Sequence, residues 1–134
     1  MAFSVHWRLM FRVGSRDAFQ KCLDRSLALL GPDSVPREGQ PYWKIPDLWE
    51  CRVSAPVPAG TVADQVLGTL LAANRLGTGW HLNGSLSPVS ATGFSGVLAV
   101  GKSGASAHIA GLEWASFDLA VDAEPGDSTD GGVG

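Results

Sequence analysis

The sequence predicts an α+β domain: a mainly antiparallel five-stranded sheet with two helices packed on one face, in the order β-α-β-α-β-β-β. Three observations predict it. Residues 4–13 alternate apolar and polar side chains, as a half-buried strand does. Two later stretches repeat apolar residues at three- and four-residue spacing between a capping residue and a glycine. Beyond Gly77 helical periodicity gives way to short apolar alternations broken by Gly, Ser and Thr.

The first strand reads "SVHWRLMFRV". Val5, Trp7, Leu9, Phe11 and Val13 share one face, while His6, Arg8, Met10 and Arg12 share the other, mostly wet one. Gly14 breaks it and Ser15 can cap a helix from about Arg16 to Leu30. Its buried stripe is Phe19, Cys22, Leu23, Ser26, Leu27 and Leu30, and Gly31–Pro32 ends it. "GPDSVPREGQP" then reads as a long irregular rim loop.

"YWKIPDLWECRVSAP" reads as the second strand, entered at Pro46–Asp47 and closed by Pro56 and Pro58. Trp49, Cys51, Val53 and Ala55 share its inner face, with Glu50 and Arg52 opposite. Thr61 and Asp64 form a capping pair at the start of the second helix. Its apolar stripe is Val62, Val66, Leu67, Leu70, Leu71 and Asn74, and Gly77 is the natural stop. Three strands follow at about 79–86, 94–100 and 108–121, the last with a bulge expected near Gly111. In element order the first half is weakly ferredoxin-like; this resemblance implies a fold and no function.

Residues 1–121 thus make one domain, and 122–134, "DAEPGDSTDGGVG", read as a flexible acidic Gly-rich tail. Without the tail, nine acids face ten bases, and so balanced a body offers no electrostatic basis for binding nucleic acid. No apolar run is long enough for a membrane span, and Arg8 and Arg12 interrupt the start of the chain. Together these predict a cytoplasmic protein with neither nucleic-acid nor membrane partners. Cys22 and Cys51, both among apolar neighbours, fit two buried free thiols.

Catalytic signatures are few. His6, His81 and His108 lack compact metal spacing, so only chance convergence across strands would make a metal site, and no cofactor is expected. Gly101–Lys102–Ser103 is not followed by a helix, so a hairpin turn with a solvated Lys102 replaces the phosphate-loop reading. "GFSGV" lacks the spacing of a nucleophile elbow. "LNGS", 82–85, matches a glycosylation sequon but reads as a turn in a cytoplasmic chain.

The most patterned stretch is "HIAGLEWASFDLAV", 108–121. Ala115, Phe117, Leu119 and Val121 form a wholly apolar face, which turns Trp114, Ser116 and Asp118 outward. An outward Trp either packs beneath a loop or marks a binding surface. Tyr42, Trp43, Trp114, Ser116, Asp118 and Arg52 are the candidate binding residues, with Arg8, Arg12 and Glu50 as polar neighbours.

The expected function is a non-enzymatic protein-binding module whose sheet face meets another protein or a second copy in a homodimer. One form of it is a small immunity or antitoxin-like protein that neutralises a toxin, by analogy of size and architecture. The first alternative is a small-molecule-binding or hydrolytic domain with an acid–base pocket built from His81, His108 and Glu113. The second is a structural component of a larger assembly.

Overall fold

The computed structural model describes residues 3–37, 39–45, 47–57, 60–84, 93–101 and 104–121. The tail at 122–134, Lys102 and Ser85 of the sequon lie outside the described residues.

Strand β1 (Phe3–Arg12) occupies the middle of the sheet, because its alternation supplies one fully apolar face that must be covered. It pairs antiparallel with β4 (Leu48–Pro56) on one side and β9 (Leu112–Val121) on the other. Helix α1 (Arg16–Leu30) follows the Ser15 cap, whose hydroxyl accepts from Ala18 N–H at 3.2 Å. Helix α2 (Val62–Leu76) starts with a complete capping box between Thr61 and Asp64.

The fold is α+β with two helices and an antiparallel sheet, but it is not the expected five-stranded β-α-β-α-β-β-β sheet. Seven strands make the main sheet, in the order β2–β4–β1–β9–β7–β6 with β3 also on β4. Here β2 is Val35–Pro36, β3 is Gln40–Pro41, β6 is His81–Asn83 and β7 is Ser95–Ala99. A separate pair joins β5 (Gly77–Thr78) to β8 (Ser106–Ala107).

The expected rim loop therefore contributes two short edge strands. Val35 faces Ser54 and Pro36 faces Val53, while Gln40 faces Glu50 and Pro41 faces Trp49. Strands of two residues carry no alternation to read, and proline is tolerated because these are edges. Gly39 passes directly over the Phe19 ring, where an added Cβ would fall 2.1 Å from Cζ. The ferredoxin-like expectation also fails. A split β-α-β unit would separate its two strands, whereas β1 and β4 are immediate antiparallel neighbours.

The core lies between the inner sheet face and the helices. Phe117 is its centre, with ring centroids of Trp7, Trp80 and Phe94 at 5.3, 5.4 and 5.7 Å. The Trp80 indole N–H is satisfied by the carbonyls of Ala73 and Gly77, both at 3.0 Å, at the end of α2. Phe19 stacks on Trp49 at 5.2 Å and meets Phe11 edge-on. Cys22 and Cys51 are buried and free, and the Cys22 thiol donates to Ala110 O at 3.3 Å.

Helix α2 buries only part of the expected stripe: Val62, Val66 and Leu70 pack half-buried against the core. Gln65, Thr69, Ala73 and Leu76 face inward, while Leu67 and Leu71 are 57% and 52% exposed. The helix packs chiefly against α1 and β5, and the Thr69 hydroxyl donates to Gln65 O at 2.9 Å. No described helix is long and apolar enough to cross a membrane.

Candidate binding face

The outer face of the sheet is built from the other half of each alternation. Register sets its rows. His6 stands between Ser54 of β4 and Asp118 of β9, Arg8 between Arg52 and Ser116, and Met10 between Glu50 and Trp114. On β7, Ser95, Val97 and Ala99 continue these rows beside Asp118, Ser116 and Trp114.

A bulge in β9 makes this arrangement possible. Pairing steps from Met10↔Trp114 to Phe11↔Leu112, which leaves Glu113 as the extra residue. The inserted residue switches the phase of the strand, so Leu112 and Ala115 both reach the core although their positions differ in parity. Strand β9 starts at Leu112, four residues later than expected, because 108–111 form a turn. Within it, His108 N–H donates to Leu76 O at 2.8 Å.

The 42–48 turn folds over one end of this face. Tyr42 N–H donates to Leu48 O, Ile45 N–H to Tyr42 O and Leu48 N–H to Ile45 O. Beside it Met10 and Leu48 are buried, and Glu50 is buried between Met10 and Gln40, although all three sit on the outer side of their strands. Arg8 pairs with Glu50, and its guanidinium lies 5.9 Å from the centre of the Tyr42 ring and 5.6 Å from that of Trp114. A buried carboxylate, a cation and two aromatic rings thus form one unit at the centre of the face.

Two concavities adjoin at Arg8. One, of about 370 Å³, is polar and is lined by His6, Arg8, Arg37, Arg52, Ser54 and Asp118, among others. The other, of about 390 Å³, is mostly apolar and is lined by Met10, Tyr42, Ile45, Leu48 and Trp114, with Glu113 at its margin. Ser54 Oγ and His6 Nδ1 are 3.3 Å apart within the polar one.

Of the candidate residues, Arg52, Ser116 and Asp118 line the polar cavity, and Tyr42 and Trp114 the apolar one. Trp114 is half-buried. Trp43 lines neither cavity; it is 82% exposed, with its ring 6.3 Å from Tyr42 and Lys44 Nζ 5.0 Å above it. Arg37 was not legible in advance, because a two-residue strand gives no sign of which face follows it.

His81, His108 and Glu113 occupy separate places. His81 lies on β6, separated from β1 and His6 by two strands, which sets them roughly 14 Å apart at the usual strand spacing. The His108 ring lies at the C-terminus of α2, with Nδ1 3.1 Å from Arg75 O. Glu113 forms a two-pronged pair with Arg12 at 2.9 and 3.0 Å. The hydrogen bond from Arg12 holds its carboxyl below the usual range, so it is ionised near neutral pH, and with both oxygens engaged it is neither a proton donor nor an effective base. Among the described residues no three His, Cys, Asp or Glu side chains gather so as to hold a metal ion.

Comparison of the chain with protein-family models, with curated proteins and with solved structures gives no match in any of the three.

Proposed function

We propose that this chain is a non-enzymatic protein-binding module that holds its partner on the outer face of the sheet. The observation that carries the reading is the Arg8 guanidinium over both Trp114 and Tyr42, anchored from behind by Glu50. Trp, Tyr and Arg are the residues that concentrate binding energy at protein interfaces. Here they are held in place before any partner arrives, which lowers the ordering cost of association. Exposed Trp43 and Ile45 extend the apolar surface beside them. The shallow, two-part shape fits an extended partner surface better than an enclosed substrate.

The partner is either a second copy or another protein, and solution mass separates them. Light scattering across a concentration series, on wild type and Trp114→Ala, is the test, with near-ultraviolet circular dichroism as the check on folding. A dimer of twice 14.0 kDa that Trp114→Ala returns to monomer supports self-association through this face. A monomer that retains a stoichiometric protein partner, lost in Trp114→Ala, supports a foreign one. A monomer that retains no partner, or a folded Trp114→Ala that associates like wild type, overturns the proposal.

A further inference from the structure

Among the described residues, the charges that line the polar cavity do not balance. Arg8 and Arg52 are register partners across β1 and β4, and like charges placed directly opposite destabilise a sheet. Glu50 answers Arg8, but among the described residues no carboxylate pairs with Arg52 or with Arg37. Arg37 is held beside Arg52, because its backbone N–H donates to Arg52 O at 2.8 Å. Among the described residues, one carboxylate lines the polar cavity: Asp118 on β9, across β1 from Arg52. With Arg8 answered by Glu50, the guanidinium charges of Arg37 and Arg52 against Asp118 leave one positive charge.

We propose that the Arg37–Arg52 end of the groove is a subsite for a single carboxylate presented by the protein partner, an Asp or Glu side chain on an extended segment. This rests on reading the outer face as a protein-binding surface. One carboxylate brings the cavity to neutrality, and guanidinium forks grip carboxylates in two-pronged geometry. A phosphate dianion would instead overshoot and set a surplus negative charge near Asp118. The apolar cavity lies one row further along the sheet, Trp114 being two residues from Ser116 on β9. Two residues of strand span roughly 7 Å, so an acidic residue and an apolar one at i and i+2 of an extended segment match the one-row offset of the two cavities along the strands.

The test is an NMR titration at fixed ionic strength with acetyl-Glu-Gly-Leu-amide, with its Gln analogue and with inorganic phosphate. It follows the arginine Nε–H signals and the Trp114 indole signal. The expected result is binding of the Glu peptide about tenfold tighter than the Gln peptide and tighter than phosphate. Arg37 and Arg52 signals should move, and the preference should vanish in Arg37→Gln and Arg52→Gln. It should persist in Arg25→Gln, a change on the solvent side of α1. Equal binding of the two peptides, tighter binding of phosphate, or a preference that survives Arg52→Gln overturns the carboxylate subsite. Loss of the subsite is separable from loss of the surface. A chain that fails the Glu–Gln comparison yet releases its partner on Trp114→Ala keeps the protein-binding reading.

Discussion

The Arg8–Glu50 pair should be asymmetric when dissected, because burial treats its members differently. The Glu50 side chain is 10% exposed and that of Arg8 is 35% exposed. In Arg8→Met the thioether can pack between Tyr42 and Trp114, but the Glu50 carboxylate is left buried without its cation. Removing one member of a fully buried pair costs about 3–5 kcal/mol. Partial access of water to this site lowers the expectation to about 2–4 kcal/mol. In Glu50→Leu the surviving Arg8 can turn its guanidinium to water, so a loss of only about 1 kcal/mol is expected. The double variant replaces both charges with apolar groups above Met10 and Leu48, and should lie within about 1 kcal/mol of wild type. Urea unfolding of the four proteins measures this directly, provided the slopes agree. Equal losses in the two single variants would refute the burial argument. Additive losses in the double variant would show that the pair is not coupled at all.

Two other expectations concern the scaffold. Gly96 leaves room for the Phe117 ring: an added Cβ would sit 2.5 Å from Cε2 and 2.8 Å from Cζ, with Trp7, Trp80 and Phe94 closing the other sides. Gly96→Ala should therefore lower stability by about 1–3 kcal/mol in urea unfolding, and an unchanged midpoint would mean that the ring has room to move. Burial pushes the Cys51 thiol up to about 11, from 9.0 for an ordinary thiol. The native state then keeps a proton that the unfolded chain releases first. Its stabilising contribution is complete below pH 9 and is lost as pH rises to about 11. The stability difference between wild type and Cys51→Ala should shrink over that interval, and parallel curves would contradict the buried-thiol account.

What could be read from the sequence was local. Both helices have their expected bounds, because Ser15, the Thr61–Asp64 box and the glycines at 31 and 77 act on neighbours a few residues away. The alternation of β1, and that of β9 from Ala115 onward, showed which side chains face out, and so placed Trp114, Ser116 and Asp118 on the outer face. Tertiary structure decided everything that depends on a distant partner. Strands of two residues at 35–36 and 40–41 exist only because β4 supplies their hydrogen bonds. The buried side of α2 is set by its packing against α1 and β5, which covers Leu76 and leaves Leu67 and Leu71 exposed. The order β4–β1–β9 sets Arg8 opposite Arg52, and Glu50 is buried between Met10 of β1 and Gln40 of β3. Periodicity carries no information about which strands become neighbours, so the charged groove appears only once the sheet has been assembled.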